Sequence, residues 1–207
     1  MEIILSLLSG YFAGSLNPAE LISRIKKEDL RKRGTGNLGA SNTMLVFGKA
    51  LGLLVMVFDI AKAWIASRLA ALLFPQARYA VLAAGLGAVI GHVFPFYLRF
   101  KGGKGLAAFG GMVLAWDAGM FLHLLLLGVI LMLVANYSAV LPMSAGLLFP
   151  LLAFAGSKEI GVFLLAAAAG GLIVVKHAGN LVKGRKGEDI NIREFVREDI
   201  LHKSNTK

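Results

Sequence analysis

Apolar residues run along this chain in long uninterrupted blocks, and polar residues collect in the gaps between them. A helix needs roughly 20 apolar residues to cross the hydrocarbon core of a bilayer, and backbone facing lipid must be helical because no water is there to satisfy it. The blocks predict membrane spans over residues 2–24, 50–74, 79–99, 105–117, 118–135, 138–156 and 159–179, joined by short turns such as Phe74-Pro75-Gln76 and Gly156-Ser157-Lys158. The stretch 105–135 is long for one span and short for two, with Trp116-Asp117-Ala118-Gly119 as an interfacial turn in its middle, so about five spans is the alternative to about seven. The expected fold class is therefore all-α, a polytopic transmembrane helix bundle. It forms a single domain over residues 1–207, with residues 183–207 as a polar C-terminal tail. Gly10/Gly14 and Gly87/Gly91 stand in the GxxxG spacing that lets two membrane helices pack closely.

Composition strengthens this reading. The chain of 207 residues is 57% apolar and 16% charged, where soluble proteins carry about a quarter charged residues, and its mean hydropathy is +0.72. Met1-Glu2-Ile3 enters apolar sequence without a basic lead, so the first span is expected to persist rather than be cleaved as a signal peptide. The absence of Cys excludes disulfides, thiolate nucleophiles and Cys-ligated metals, and the four histidines, His92, His123, His177 and His202, are scattered. No metal and no cofactor are expected.

The formal net charge of +10 could signal nucleic-acid binding, but its distribution argues otherwise. Arg24, Lys26, Lys27, Arg31, Lys32, Arg33 and Lys49 occupy the first gap, and Arg99, Lys101 and Lys104 the third. The tail adds Lys176, Lys183, Arg185, Lys186, Arg193, Arg197, Lys203 and Lys207, while the opposite gaps hold only Arg78 and Lys158. This asymmetry follows the positive-inside rule, placing the N-terminus outside and the C-terminus in the cytoplasm. No nucleic-acid partner and no obligate protein partner are inferred.

Three of the polar segments have the composition for chemistry. Gly34-Thr35-Gly36-Asn37-Leu38-Gly39-Ala40-Ser41-Asn42 alternates glycines with short hydroxyl and amide side chains, beside Arg31, Lys32 and Arg33. Such a run can turn several backbone N–H groups onto an anion, or serve as an ordinary polar loop. His92 through Gly105 leaves a span through Pro95 and then places Lys101 and Lys104 around Gly102-Gly103 at the start of the next helix. A helix N-terminus with two lysines suits a phosphate. Gly105 follows Lys104 where a nucleotide-binding P-loop needs Ser or Thr, which argues against an NTPase. His177 and Asn180, three apart near the end of the last span, share one face if the helix continues past Gly179. Asp59 and Lys62, at the same spacing within the second span, are expected to pair structurally.

Taken together these segments resemble the bacterial acyl-phosphate:glycerol-3-phosphate acyltransferase family, PlsY. The resemblance rests on Gly14-Ser15-Leu16, on Asp29 through Asn42, on Gly91 through Pro95 with Phe100 through Gly105, and on His177-x-x-Asn180 followed by Gly187-Glu188. There are departures: Thr35 stands for the family's Ser, Ser41 for Thr, Lys183 for Arg and Leu45 for Arg, and the stretch before Glu188 is one residue short. Leu45 removes a cation able to grip two phosphate oxygens at once.

The resemblance implies transfer of a fatty acyl group from acyl phosphate to the 1-hydroxyl of glycerol 3-phosphate, at the cytoplasmic face of the bacterial cell (inner) membrane, with lysophosphatidate and phosphate as products. It marks His177 and Asn180 as catalytic candidates. The substrate-binding candidates it marks are Ser15, Arg31, Thr35, Gly36, Asn37, Gly39, Ser41, Asn42, His92, Lys101, Gly102, Gly103, Lys104, Gly105, Lys183 and Glu188. Its implied partners are the two substrates and membrane lipids. The alternative is a non-catalytic relative of the same scaffold, a transporter or a lipid-binding paralogue, with Leu45 and the short third motif in its favour.

Overall fold

The computed structural model describes residues 1–185, and these are all-helical. In chain order the helices are α1 (Glu2–Ser15), α2 (Pro18–Ile25), α3 (Ala40–Phe47), α4 (Lys49–Leu73), α5 (Ala80–Val93), α6 (Leu106–Trp116), α7 (Ala118–Ala135), α8 (Val140–Ser157) and α9 (Ile160–Arg185). Short 3-10 turns lie at Leu30–Lys32 and Phe96–Leu98.

Five segments are long and apolar enough to cross a membrane: Lys49–Leu73, Ala80–Leu98, Ala118–Ala135, Val140–Ser157 and Ile160–Lys183. The 118–135 block is one helix with the expected ends, and α6 and α7 are separate elements. Asp117 parts them by accepting the Met120 N–H at 2.8 Å as the N-cap of α7.

The expected first span, 2–24, is two helices and not one. Asn17 caps α2 by accepting the Glu20 N–H at 2.9 Å, and Pro18 at the first helical position cannot continue α1. With 14 residues α1 is about 21 Å long by the helical rise, short of the hydrocarbon core. The third predicted span also ends early as a helix, at Val93, ahead of Pro95.

Helix α5 is the pillar of the bundle, with 12 of its 14 residues buried, and it packs against α1, α4, α6 and α9. Its contact with α1 is made by the two GxxxG pairs, as expected. A Cβ on Gly14 would stand 2.1 Å from the Ala88 carbonyl oxygen, and one on Gly91 would stand 2.1 Å from that of Tyr11. The two backbones touch at positions where no side chain fits. A larger core joins α5, α6, α8 and α9, with Phe109 and Phe149 edge to face at 5.5 Å.

The outer face is apolar. On α7 only Leu124 and Gly128 are buried, and Leu126, Ile130 and Val134 are among its exposed side chains. On α4, Leu53, Val57 and Trp64 likewise face outward. In water such a surface would be an aggregation liability; in a bilayer it is the solvated face.

Candidate active site

The three polar segments meet at one end of the bundle. The first is held in shape by Asn42, which is fully buried. Its Oδ1 accepts the Thr35 N–H at 2.7 Å, and its Nδ2 donates to the carbonyls of Leu30 and Arg33 at 3.0 and 3.1 Å. Asn42 therefore uses its side chain to fold the loop. The Gly36 N–H is also spent, on the Arg33 carbonyl at 3.0 Å. Thr35 and Ser41 are exposed and Asn37 is half-buried. Gly39 precedes α3, whose N-terminus has no side-chain cap.

The second segment folds back onto the end of α5. The Gly102 and Gly103 amides donate to the carbonyls of Val93 and His92, each at 3.1 Å. Both amides are thus engaged by protein. A Cβ on Gly103 would stand 2.2 Å from His92 Nε2 and 2.7 Å from the Leu38 carbonyl oxygen. One point therefore brings together the first loop, the second loop and the His92 ring. Gly105, at φ 88°, then starts α6, again without a side-chain cap.

Among these segments, the starts of α3 and α6 carry no side-chain cap. The first amides of a helix have no intrahelical acceptor and carry the positive end of its dipole. The sequence reading points to the amides of the first loop and to the helix start after Lys104. For the first loop it could not see that the Thr35 and Gly36 amides would be used internally.

The third segment closes the site. Helix α9 continues past Gly179, so His177 and Asn180 do share a face. Asn180 Oδ1 accepts a hydrogen bond from Lys104 Nζ. Near the same helix start, a Cβ on Gly105 would lie 3.2 Å from Ile173 on α9. His177 is buried, and its Nδ1 lies 2.9 Å from the Ile173 carbonyl oxygen. A carbonyl only accepts, so Nδ1 carries the proton, and in the neutral ring Nε2 keeps a lone pair.

The remaining candidates lie at or beyond the rim. Lys101 is exposed, as is Lys183. Arg31 pairs with Glu20 at 3.0 Å, and Glu20 also holds Arg24 at 2.8 Å. Ser15 is buried and its hydroxyl donates to the Tyr11 carbonyl at 2.8 Å. Glu188 lies outside the described residues.

Sequence reasoning missed the α1–α2 break as part of the site wall. Asn17 Nδ2 reaches the Leu38 carbonyl at 3.4 Å, its N–H donates to the Tyr97 hydroxyl at 3.2 Å, and that hydroxyl donates to the Ser15 carbonyl at 2.8 Å. The signal was present in Asn17-Pro18, a cap followed by a helix-starting proline. Beside this break runs a groove of about 430 Å³ lined by Leu16, Leu21, Leu54, Phe58 and Tyr97, with Glu20 and Arg24 at its polar edge.

A helical bundle with a lipid-compatible exterior and its cation-bearing polar segments gathered at one end defines a polytopic integral membrane protein. Comparison with known proteins narrows this class. The family model described as glycerol-3-phosphate acyltransferase matches residues 4–187, and the chain belongs to that family.

The glycerol-3-phosphate acyltransferase of Aquifex aeolicus is 31% identical over 181 residues, spanning 87% of this chain and 94% of that protein. That of Lactiplantibacillus plantarum is 32% identical over 190 residues and 91% of each chain. The crystal structure of PlsY, an integral membrane glycerol 3-phosphate acyltransferase, in its glycerol 3-phosphate form superposes with a TM-score of 0.85 at 29% identity. It covers 93% of this chain and 96% of that one. A lysophosphatidic acid form of PlsY gives a TM-score of 0.82 at 28% identity.

Proposed function

We propose that the protein transfers a fatty acyl group from acyl phosphate to the 1-hydroxyl of glycerol 3-phosphate, working at the cytoplasmic face of the bacterial inner membrane. The observation that carries this reading is the hydrogen bond of Lys104 to Asn180 beside the uncapped start of α6, with His177 on the same face of α9 as Asn180. The chemistry needs a cation, a hydrogen-bonding amide and a proton acceptor at the same depth as the phosphates, next to an apolar exterior that admits the chain.

In the proposed step the glycerol hydroxyl oxygen attacks the acyl carbonyl carbon, and the bond from that carbon to the phosphate oxygen breaks. Inorganic phosphate leaves with the electron pair. The hydroxyl proton passes to His177 Nε2 or to a phosphate oxygen of the bound substrates. Lys104 and the helix starts offset phosphate charge in the ground state and in the transition state, and holding both substrates in place lowers the entropic part of the barrier. An acyl phosphate is already activated, so no covalent acyl-enzyme is needed and the lack of Cys costs nothing.

The test is direct. Purified protein given palmitoyl phosphate and labelled glycerol 3-phosphate should yield lysophosphatidate and phosphate in equal amounts. If neither product forms while both substrates bind, the chain is a non-catalytic relative and the reading falls.

A further inference from the structure

Three ionisable side chains lie deep in the bundle beside the site, and the proposed reaction uses none of them directly. Asp59 and Lys62 on α4 are 1% and 6% exposed, and His92 on α5 is 3% exposed. Lys62 Nζ lies 2.5 Å from the Leu16 carbonyl oxygen, 2.7 Å from Asp59 Oδ1 and 3.1 Å from His92 Nδ1. An ammonium has three N–H donors, and here are three neighbours to receive them.

We propose that Lys62, anchored by Asp59, is a positioning residue that sets the tautomer of His92. A ring nitrogen facing an ammonium must accept, so His92 Nδ1 bears no hydrogen and Nε2 carries it. Nε2 is the atom beside Gly103 at the point where the two loops meet: a Cβ there would stand 2.2 Å from it and 2.7 Å from the Leu38 carbonyl oxygen. Lys62 thereby delivers an N–H to the junction of the two glycine segments. With the same ammonium it takes up the Leu16 carbonyl, beyond the C-terminal end of α1, where no helical N–H follows.

Removal of the ammonium has a defined consequence. Asp59 Oδ1 lies 3.2 Å from His92 Nδ1, ready to accept a proton from it. Without Lys62 the ring would place its hydrogen on Nδ1 and leave Nε2 a bare acceptor. The loop junction beside Gly103 would then lose the N–H that the ring supplies to it. The two glycine segments lead into the starts of α3 and α6, which in the proposed reaction hold phosphate in substrate and transition state alike, so their loosening should appear in KM rather than in kcat.

This inference deepens the proposed acyl transfer and rests on it for its kinetic consequence alone. The test uses the full chain with Asp59→Asn and Lys62→Met together, which removes both buried charges and leaves neither unpaired. Nitrogen-15 NMR of histidine-labelled protein in lipid, with the His92 signal assigned by its absence in His92→Gln, reads the tautomer whether or not the protein turns over. The parent should show hydrogen on Nε2 of His92 and the double variant hydrogen on Nδ1. KM for glycerol 3-phosphate should rise about tenfold with kcat within about twofold.

A parent ring protonated on Nδ1, a variant with the parent's tautomer, or an unchanged KM each overturns the proposal. A parent with the expected tautomer but no turnover sinks the acyltransferase reading and the kinetic claim resting on it, and leaves the assignment of the ring standing.

Discussion

At the scale of single residues, the site separates side chains proposed to meet substrate from side chains that hold others in place. Lys104 and Asn180 are bonded to each other across the gap between α6 and α9, so each fixes the other's direction. Lys104→Ala should lower kcat/KM for glycerol 3-phosphate by about one to two orders of magnitude, since a hydrogen bond to a charged group is worth roughly 1.5–3 kcal/mol. Thermal unfolding in detergent should stay near the parent; a change in kcat/KM below twofold would remove Lys104 from the site.

His177→Gln keeps an amide able to hydrogen-bond but loses the basic nitrogen, so kcat should fall while KM holds. Full turnover at normal membrane levels would transfer the base role to a substrate phosphate. Asn42 belongs to the other group, as its side chain closes three hydrogen bonds inside the first loop. Asn42→Ala should destabilise the protein by about 2–4 kcal/mol, because each buried polar group left unpaired costs roughly 1–3 kcal/mol and water can relieve part of it. The drop would be read as a lowered melting temperature. Leu45, half-exposed on α3 one turn beyond Ser41, is the position at which the sequence resemblance implies Arg. Leu45→Arg should lower KM for glycerol 3-phosphate by restoring a fork-shaped cation, measured by initial rates.

At the scale of elements, what matters is where helices stop. At the α1–α2 break the interrupted backbone finds partners in neighbouring side chains, the Leu16 carbonyl in Lys62 and the Asn17 N–H in the Tyr97 hydroxyl, which is the condition under which a bilayer tolerates irregular chain. Close approach of α1 to α5 makes this possible, because it brings Ser15 and Tyr97 within one hydrogen bond. Gly14→Leu would drive a side chain into the Ala88 backbone, 2.1 Å from its ideal Cβ. Overpacking of this kind costs roughly 1–3 kcal/mol or more. The variant should melt lower and lose activity together, unlike Lys104→Ala; an unchanged melting temperature would show that α1 does not pack as described.

Much of this was readable in advance. The 118–135 block, the GxxxG contact and the shared face of His177 and Asn180 followed from length, spacing and helical period. The broken first span did not, because Leu16-Asn17-Pro18 sits inside an otherwise apolar run and hydropathy does not register a cap.

At the scale of the whole molecule, the arrangement is a buried pillar, α5, ringed by helices whose outward sides are apolar and whose polar segments gather at one end. On the far side, Arg78 pairs with Glu159, and Tyr79 lies against Gly161, so the sparse opposite turns also share an end. Cysteines introduced singly at Lys101 and at Gln76, both exposed, provide the sidedness test. A membrane-impermeant thiol reagent applied to inside-out vesicles should label the first and spare the second. The reverse pattern would place the site outside and end the cytoplasmic assignment.

The solvent for this chain was decided by its sequence alone, because burial in lipid is an additive property of apolar length and needs no knowledge of partners. The identities of the three polar segments were likewise local. Which of their groups remain available to a ligand was a tertiary matter: the Gly102, Gly103 and Thr35 amides are consumed by neighbours, while the starts of α3 and α6 are left uncapped. A hydrogen-bond donor is spent or spare only once every acceptor around it has been placed. Those acceptors come from Asn42, His92 and Val93, which meet the loops only after the chain has folded.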